Sequence, residues 1–258
     1  MKTSRASVSI ALVFLLTSFI LWEKPKPVLY IIGDSTVKKG GGNDPDGLYG
    51  WGSFMDRFVD TMRMQVENHA IGGRSSRTFI TEGRWDVIME RLKPGDYVIM
   101  QFGHNDAGAL DDTARARGSI KGLGEESKEI YNPIRKVNEV VYTYGHYMRK
   151  YVNDAKSKGA IPIICSPVPR ENFVNGKVVR NDNYAGWSKD IADQTGAYFI
   201  PLNTMICDKY DALGADSVKK FFPIDHTHPN YDGSMLSATL VTKGIKDLKK
   251  CNLKKYVK

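Results

Sequence analysis

The chain carries only three cysteines in 258 residues, Cys165, Cys207 and Cys251, and no CxxC pair. That excludes a disulfide-framed fold and a cysteine-based zinc module. An oxidising compartment would permit one bridge, with Cys207 to Cys251 the expected pair because Cys165 lies inside the apolar run IPIIC; the alternative is three thiols. The five histidines show no HExxH and no paired ligand spacing, so neither a metal nor a cofactor is expected. No internal repeat and no low-complexity array is present. A cationic face for nucleic acid is also missing, although the net charge is +8. Residues 243–258 carry +6 and residues 1–27 carry +3, which leaves the body between them at −1. The high pI therefore reports the termini, and no nucleic-acid partner is expected.

Long apolar runs are scarce too. SIALVFLLTSFILW at residues 9–22 is short for a membrane span. It follows Lys2 and Arg5 in the order of a secretory n-region and h-region. Residues 1–22 are expected to be a signal peptide or, because no small-x-small cleavage site follows, an N-terminal anchor that would be the one membrane contact. The mature protein would then be secreted, periplasmic or held at the cell envelope. EKPKP at 23–27 is an exposed linker, since Pro25 and Pro27 deny it helix and ladder hydrogen bonds. One domain is expected over 28–250, followed by a basic tail over 251–258.

What the body does contain is a series of strand-length apolar runs: VLYII at 28–32, MQVENHA at 64–70, YVIMQ at 97–101, IPIIC at 161–165 and YFIPL at 198–202. Most are unbroken by polar residues, as in strands covered on both faces. Helical spacing over 51–62, 84–92, 138–157, 184–195 and 231–248 alternates with them. Strand alternating with helix predicts an α/β fold with a parallel sheet of five strands and right-handed crossovers. Residues 106–137, rich in Gly, Pro and mixed charge, are expected to form a long functional loop after the third strand.

Ligands of such a sheet bind beyond the carboxyl ends of its strands, and four motifs fall there. The first run ends in Gly33-Asp34-Ser35, which turns the chain sharply and exposes a serine hydroxyl. That hydroxyl needs a base and oxyanion donors to become a nucleophile. In FFPIDHTHPN, residues 221–230, Asp225 and His228 are three apart, so a turn brings carboxylate and imidazole together. Asp225 would hold Nδ1-H of His228 and leave Nε2 to deprotonate Ser35. His226, adjacent to Asp225, cannot readily receive the same carboxylate. Gly73, in AIGGRSSR, and Asn105, in QFGHNDAG, would join the Ser35 N–H as a three-donor oxyanion hole. Asp106 reads as structural.

These blocks, Gly33-Asp34-Ser35, Gly73, Gly103-x-Asn105-Asp106 and Asp225-x-x-His228, resemble the SGNH, or GDSL-like, hydrolase superfamily. The fuller wording GDSTV, AIGGRSSRTFITEGRW, GDYVIMQFGHND and FFPIDHTHPN is similar to the rhamnogalacturonan acetylesterases, which remove acetyl groups from pectin. The resemblance implies a flavodoxin-like three-layer α/β/α sandwich, a catalytic Ser35-His228-Asp225 triad and no metal. It also implies an acetylated polysaccharide or oligosaccharide as substrate. ARGSIKGLGEE, after Asp106, departs from the fungal members and leaves the exact polysaccharide open.

Arg74 and Arg77 could clamp a uronate carboxylate, and Trp187 could stack on a sugar; surface or loop-fixing arginines and a core tryptophan are the plain alternatives. Three rivals to the pectin reading stand. A lipase-like or thioesterase relative needs a large apolar acyl pocket, an acetylxylan esterase differs in its polysaccharide, and an inactive glycan-binding homologue should lack a triad or donor residue.

Overall fold

A computed structural model describes residues 25–40, 47–180 and 182–258. The expected leader over 1–22 lies outside the described residues, among which no helix is long and apolar enough to cross a membrane.

The strands are β1 (Val28–Gly33), β2 (Gln65–Asn68), β3 (Tyr97–Gln101), β4 (Ser127–Asn132), β5 (Val137–Tyr142), β6 (Ile161–Cys165), β7 (Phe173–Val174), β8 (Lys177–Val178) and β9 (Tyr198–Ile200). The α-helices are α1 (Met55–Phe58), α2 (Ser76–Thr81), α3 (Arg84–Met89), α4 (Tyr144–Ser157), α5 (Asp182–Thr195), α6 (Leu202–Leu213), α7 (Ala215–Lys219) and α8 (Tyr231–Asp247). Five strands form one parallel sheet in the order β2-β1-β3-β6-β9. The chain leaves β1 toward one edge, to β2, and then returns past β1 to β3. The gap between β1 and β3 is thus the switch point, where a crevice opens at the strand ends.

The apolar runs are unbroken because each strand feeds two cores. Leu29 and Ile31 of β1 join Tyr97 and Ile99 of β3 and Ile163 of β6 in one buried cluster, beneath α6 and α8. Tyr30 and Ile32 join Val98, Met100 and Ile164 in the other, beneath α4 and α5. Period-2 side chains thereby bind helices on both faces and complete the α/β/α sandwich.

Three local expectations are corrected. Residues 138–142, expected to open a helix over 138–157, are strand: β4 and β5 pair antiparallel as a hairpin, so the supposed loop over 106–137 ends in a β-ribbon. Val141 and Ile130 are buried on the inner face of that ribbon, and Thr143 stops it by capping α4 at the His146 N–H. The three cysteines are all buried and none is in a disulfide, so the expected Cys207–Cys251 bridge is not formed. Residues 251–258 do not trail in solvent. Leu253 and Cys251 are buried, Asn252–Tyr256 forms a 3-10 helix, and Val257 bridges to Val59.

Candidate active site

The turn after β1 is made by Asp34. Its backbone carbonyl accepts from the N–H of Val37 and Lys38, and its carboxylate accepts from the N–H and hydroxyl of Thr36 at 2.9 and 2.7 Å. A buried relay extends this anchorage. Trp51 Nε1 donates to Gln101, Gln101 donates to Thr36 Oγ1, and the other Asp34 oxygen meets His104 Nδ1 at 3.2 Å. His104 is held from behind by the Val168 carbonyl at 2.9 Å. Burial pushes the Asp34 carboxyl up, but His104 and the Thr36 hydrogen bonds outweigh it and hold the group below the usual carboxylate range. This relay ties β1 to the end of β3 and fixes the backbone that presents Ser35. The motif reading did not find it, because Trp51, Gln101 and His104 have no local signature.

Ser35 Oγ lies 2.7 Å from His228 Nε2, and His228 Nδ1 lies 2.7 Å from Asp225 Oδ2. Asp225 Oδ1 accepts from the N–H of His228 at 2.8 Å and of Thr227 at 2.6 Å, so one carboxylate shapes the turn and orients the ring. Burial pushes the Asp225 carboxyl up, whereas His228 and these two backbone donors bring it below the ordinary value. His226 points elsewhere, with Nδ1 on Glu171 at 2.9 Å.

The β2 turn closes over the serine. A Cβ on Gly72 would lie 3.6 Å from Ser35 Cβ, and Gly73 has φ of +79°, which favours glycine. Among the described residues neither the Ser35 N–H nor the Gly73 N–H donates a hydrogen bond. Asn105 Nδ2 donates one hydrogen to the Arg74 carbonyl at 2.9 Å, which leaves its second N–H for the crevice. A hydroxyl, a base held by a carboxylate and three N–H groups with spare capacity thus meet at the switch point. Such a set can form and break an acyl ester.

Residues 31–236 match the GDSL-like lipase/acylhydrolase family. The chain belongs to that family. As a GDSL-like acylhydrolase it is a carboxylic ester hydrolase, and the relatives it matches are named as acetylesterases. It is 33% identical to the rhamnogalacturonan acetylesterase of Emericella nidulans, over 84% of this chain and 84% of the relative. It is 34% identical to a probable rhamnogalacturonan acetylesterase of Bacillus subtilis, over 85% of this chain and 93% of the relative. The acetylxylan esterase Axe2 from Geobacillus stearothermophilus shares the fold with a TM-score of 0.54 at 19% identity, over 86% of this chain and 95% of that one.

Within this GDSL-like scaffold the arginines divide differently from the expectation. Arg77 is fully buried and cannot reach substrate. Its Nη2 holds the carbonyls of Leu110 and Ala116, and its Nη1 lies 3.6 Å from Glu139, so it anchors the 106–119 segment to α2 and the hairpin. Arg74 is committed to Glu82 at 3.0 Å and the Gly72 carbonyl at 3.0 Å, where it braces the turn after β2. Trp187 is half-buried and packs against Tyr184 and Tyr144 between α4 and α5. Asp106 accepts from the N–H and hydroxyl of Ser76 and from Ser119 Oγ. Burial pushes its carboxyl up to about 6, with the serine hydrogen bonds opposing. Among the described residues no group of three His, Cys, Asp or Glu side chains could hold a metal.

Proposed function

We propose that this esterase removes O-acetyl groups from a plant cell-wall polysaccharide, with rhamnogalacturonan as the leading substrate, and that it does so outside the cytoplasm. The single observation that carries the mechanism is the 2.7 Å approach of Ser35 Oγ to His228 Nε2, with Asp225 at 2.7 Å on the far ring nitrogen. Ser35 Oγ attacks the acetyl carbonyl as its proton moves to His228 Nε2. The N–H groups of Ser35, Gly73 and Asn105 receive the oxyanion. Collapse breaks the bond to the sugar oxygen, which takes the proton from His228 and leaves as a hydroxyl. Water, deprotonated by the same ring, then attacks the acetyl-Ser35 ester and releases acetate.

Two observations favour acetyl and a polar carrier over a lipid. The cleft beside Gly73 is lined by Arg74, Glu82, Arg115 and Arg117, with Ile134 as its one large apolar side chain, which offers nothing to a long acyl chain. The relatives at 33% and 34% identity are named for rhamnogalacturonan. Export rests on the charged n-region and apolar h-region of residues 1–22. The test is acetate release from acetylated rhamnogalacturonan, xylan and mannan by the wild type and by Ser35→Ala. Release from rhamnogalacturonan that vanishes in Ser35→Ala supports the reading. Retained hydrolysis in Ser35→Ala removes the mechanism, and a wild type that spares rhamnogalacturonan removes the substrate.

A further inference from the structure

Two other arginines lie beside the Gly73 turn, in the cleft that Arg74 and its partner Glu82 also line. Arg115 and Arg117 belong to the segment after Asp106 and line a cleft of about 310 Å³ that has the Gly73 backbone as one wall. This is the size of a small ligand site. Arg117 packs along Gly108 and places Nη1 at 3.3 Å from the Gly73 carbonyl, its one hydrogen bond among the described residues. Arg115 is exposed, and neither guanidinium has an ion-pair partner within 4 Å among the described residues. The acids nearby, Asp112 and Asp34, offset the charge of Arg117 only in part. Glu82 is taken by Arg74 and Arg84, and Asp112 accepts the N–H groups of Arg115 and Ala116 through Oδ1.

The loop is built to hold this unbalanced pair in place. Between the two arginines Ala116 has φ of +41°, a left-handed conformation that strains any residue with a Cβ. It persists because Ala116 is pinned on both sides: its carbonyl by the fully buried Arg77 and its N–H by Asp112. Burial, with the neighbouring Arg115 and Arg170, holds the Arg117 guanidinium below its ordinary value against the opposing pull of Asp112 and Asp34. A planar fork with free N–H groups, in a partly enclosed cleft beside the oxyanion donors, matches a carboxylate.

We propose that Arg115 and Arg117 form an anion subsite that grips the free carboxylate of an acidic sugar next to the acetylated one, so that free-acid chains are deacetylated in preference to methyl-esterified or neutral ones. The proposal rests on the acetylesterase reading above and adds to it the group recognised and the residues that recognise it.

The experiment compares acetylated rhamnogalacturonan oligosaccharides bearing free carboxylates with the same oligomers methyl-esterified, and with acetylated xylo-oligosaccharides. Each is offered to the wild type, Arg115→Gln, Arg117→Gln and Arg117→Lys. Charge-assisted hydrogen bonds of ordinary strength predict a kcat/KM preference for free acid over methyl ester of about 10- to 100-fold in the wild type. That ratio should fall about 10-fold in either Gln variant, chiefly through KM for the acid, and should shrink as salt is raised. Arg117→Lys, which keeps the charge and loses the fork, should lie between. Arg115 is exposed, so its Gln variant tests the subsite without disturbing the fold. A wild type that deacetylates acid and methyl ester equally overturns the subsite and leaves the esterase reading standing, as does a preference that survives in both Gln variants. Acetate released from xylo-oligosaccharides and from neither rhamnogalacturonan oligomer overturns the pectic reading together with the subsite.

Discussion

Asp225→Asn separates the chemical task of this carboxylate from its structural one. In the wild type Oδ1 accepts from the backbone N–H of Thr227 and His228, while Oδ2 accepts from His228 Nδ1 at 2.7 Å. An asparagine keeps the first two bonds through its carbonyl. Its amide then faces Nδ1 as a donor, which favours the tautomer with the proton on Nε2. That nitrogen sits 2.7 Å from Ser35 Oγ and would present a proton where it must accept one. In serine hydrolases built on this triad such a swap lowers turnover about 10⁴-fold. Here the Asp225 side chain is 42% exposed, so water competes to hold the ring in the working tautomer. A loss nearer 10³-fold in kcat/KM is expected, equivalent to about 4 kcal/mol of transition-state stabilisation. The fold should be untouched, with a melting temperature within about 2 °C of wild type. Asp225→Ala leaves both N–H groups to solvent and should lose stability by about 1 kcal/mol as well. The assay is initial-rate hydrolysis of nitrophenyl acetate alongside thermal melting of each variant. An Asn variant that keeps more than a tenth of wild-type kcat/KM at an unchanged melting temperature would refute the tautomer argument.

Other consequences can be checked separately. Asn105→Ala removes the side-chain N–H proposed for the oxyanion and frees the Arg74 carbonyl; kcat should fall by about 10² to 10³ with KM little moved, and an unchanged kcat would take Asn105 out of the hole. Gly33→Ala would set a methyl 2.6 Å from the Gln101 carbonyl and 2.7 Å from Val37 Cγ2, so urea unfolding should show a loss of about 2 to 3 kcal/mol. Asp106 predicts a pH effect on stability. Its folded value of about 6 lies above the 3.8 of an ordinary aspartate, so the folded state holds an extra proton between those values. Its contribution is fully present below about pH 4 and is lost as pH rises through 6, for a difference of about 3 kcal/mol. Asp106→Asn should flatten that part of the melting-temperature profile, and an identical slope in both proteins would contradict the assignment.

Much of the architecture was legible because its physics is local. Residues 28–32, 97–101 and 161–165 are apolar on both faces, and only a sheet sandwiched between helices buries both. The hairpin over 127–142 was not legible. Val137, Val140, Val141 and Tyr144 satisfy a helical stripe, and pairing of Val137–Tyr142 with Ser127–Asn132 decided for strand. Ser35, Asp225 and His228 stood out because each lies in a short motif whose turn geometry follows from neighbouring residues. Arg74, Arg77 and Trp187 are harder to read in the sequence, because side chains of their type serve equally as ligands, braces or core. Which of these they become depends on what packs over them.

By itself, then, the amino-acid order determined the turns, the two-faced strands and the i to i+3 spacing that sets a carboxylate beside an imidazole, since these depend on residues within a few peptide units of one another. Only the tertiary structure decided that a hydroxyl and a ring 193 residues apart would meet beyond the carboxyl ends of the strands, that Arg77 would vanish beneath the loop it anchors, and that Arg115 and Arg117 would be left facing the cleft. Those outcomes depend on strand order and burial. Both are settled by long-range packing against the two cores, a balance that no short stretch of chain contains.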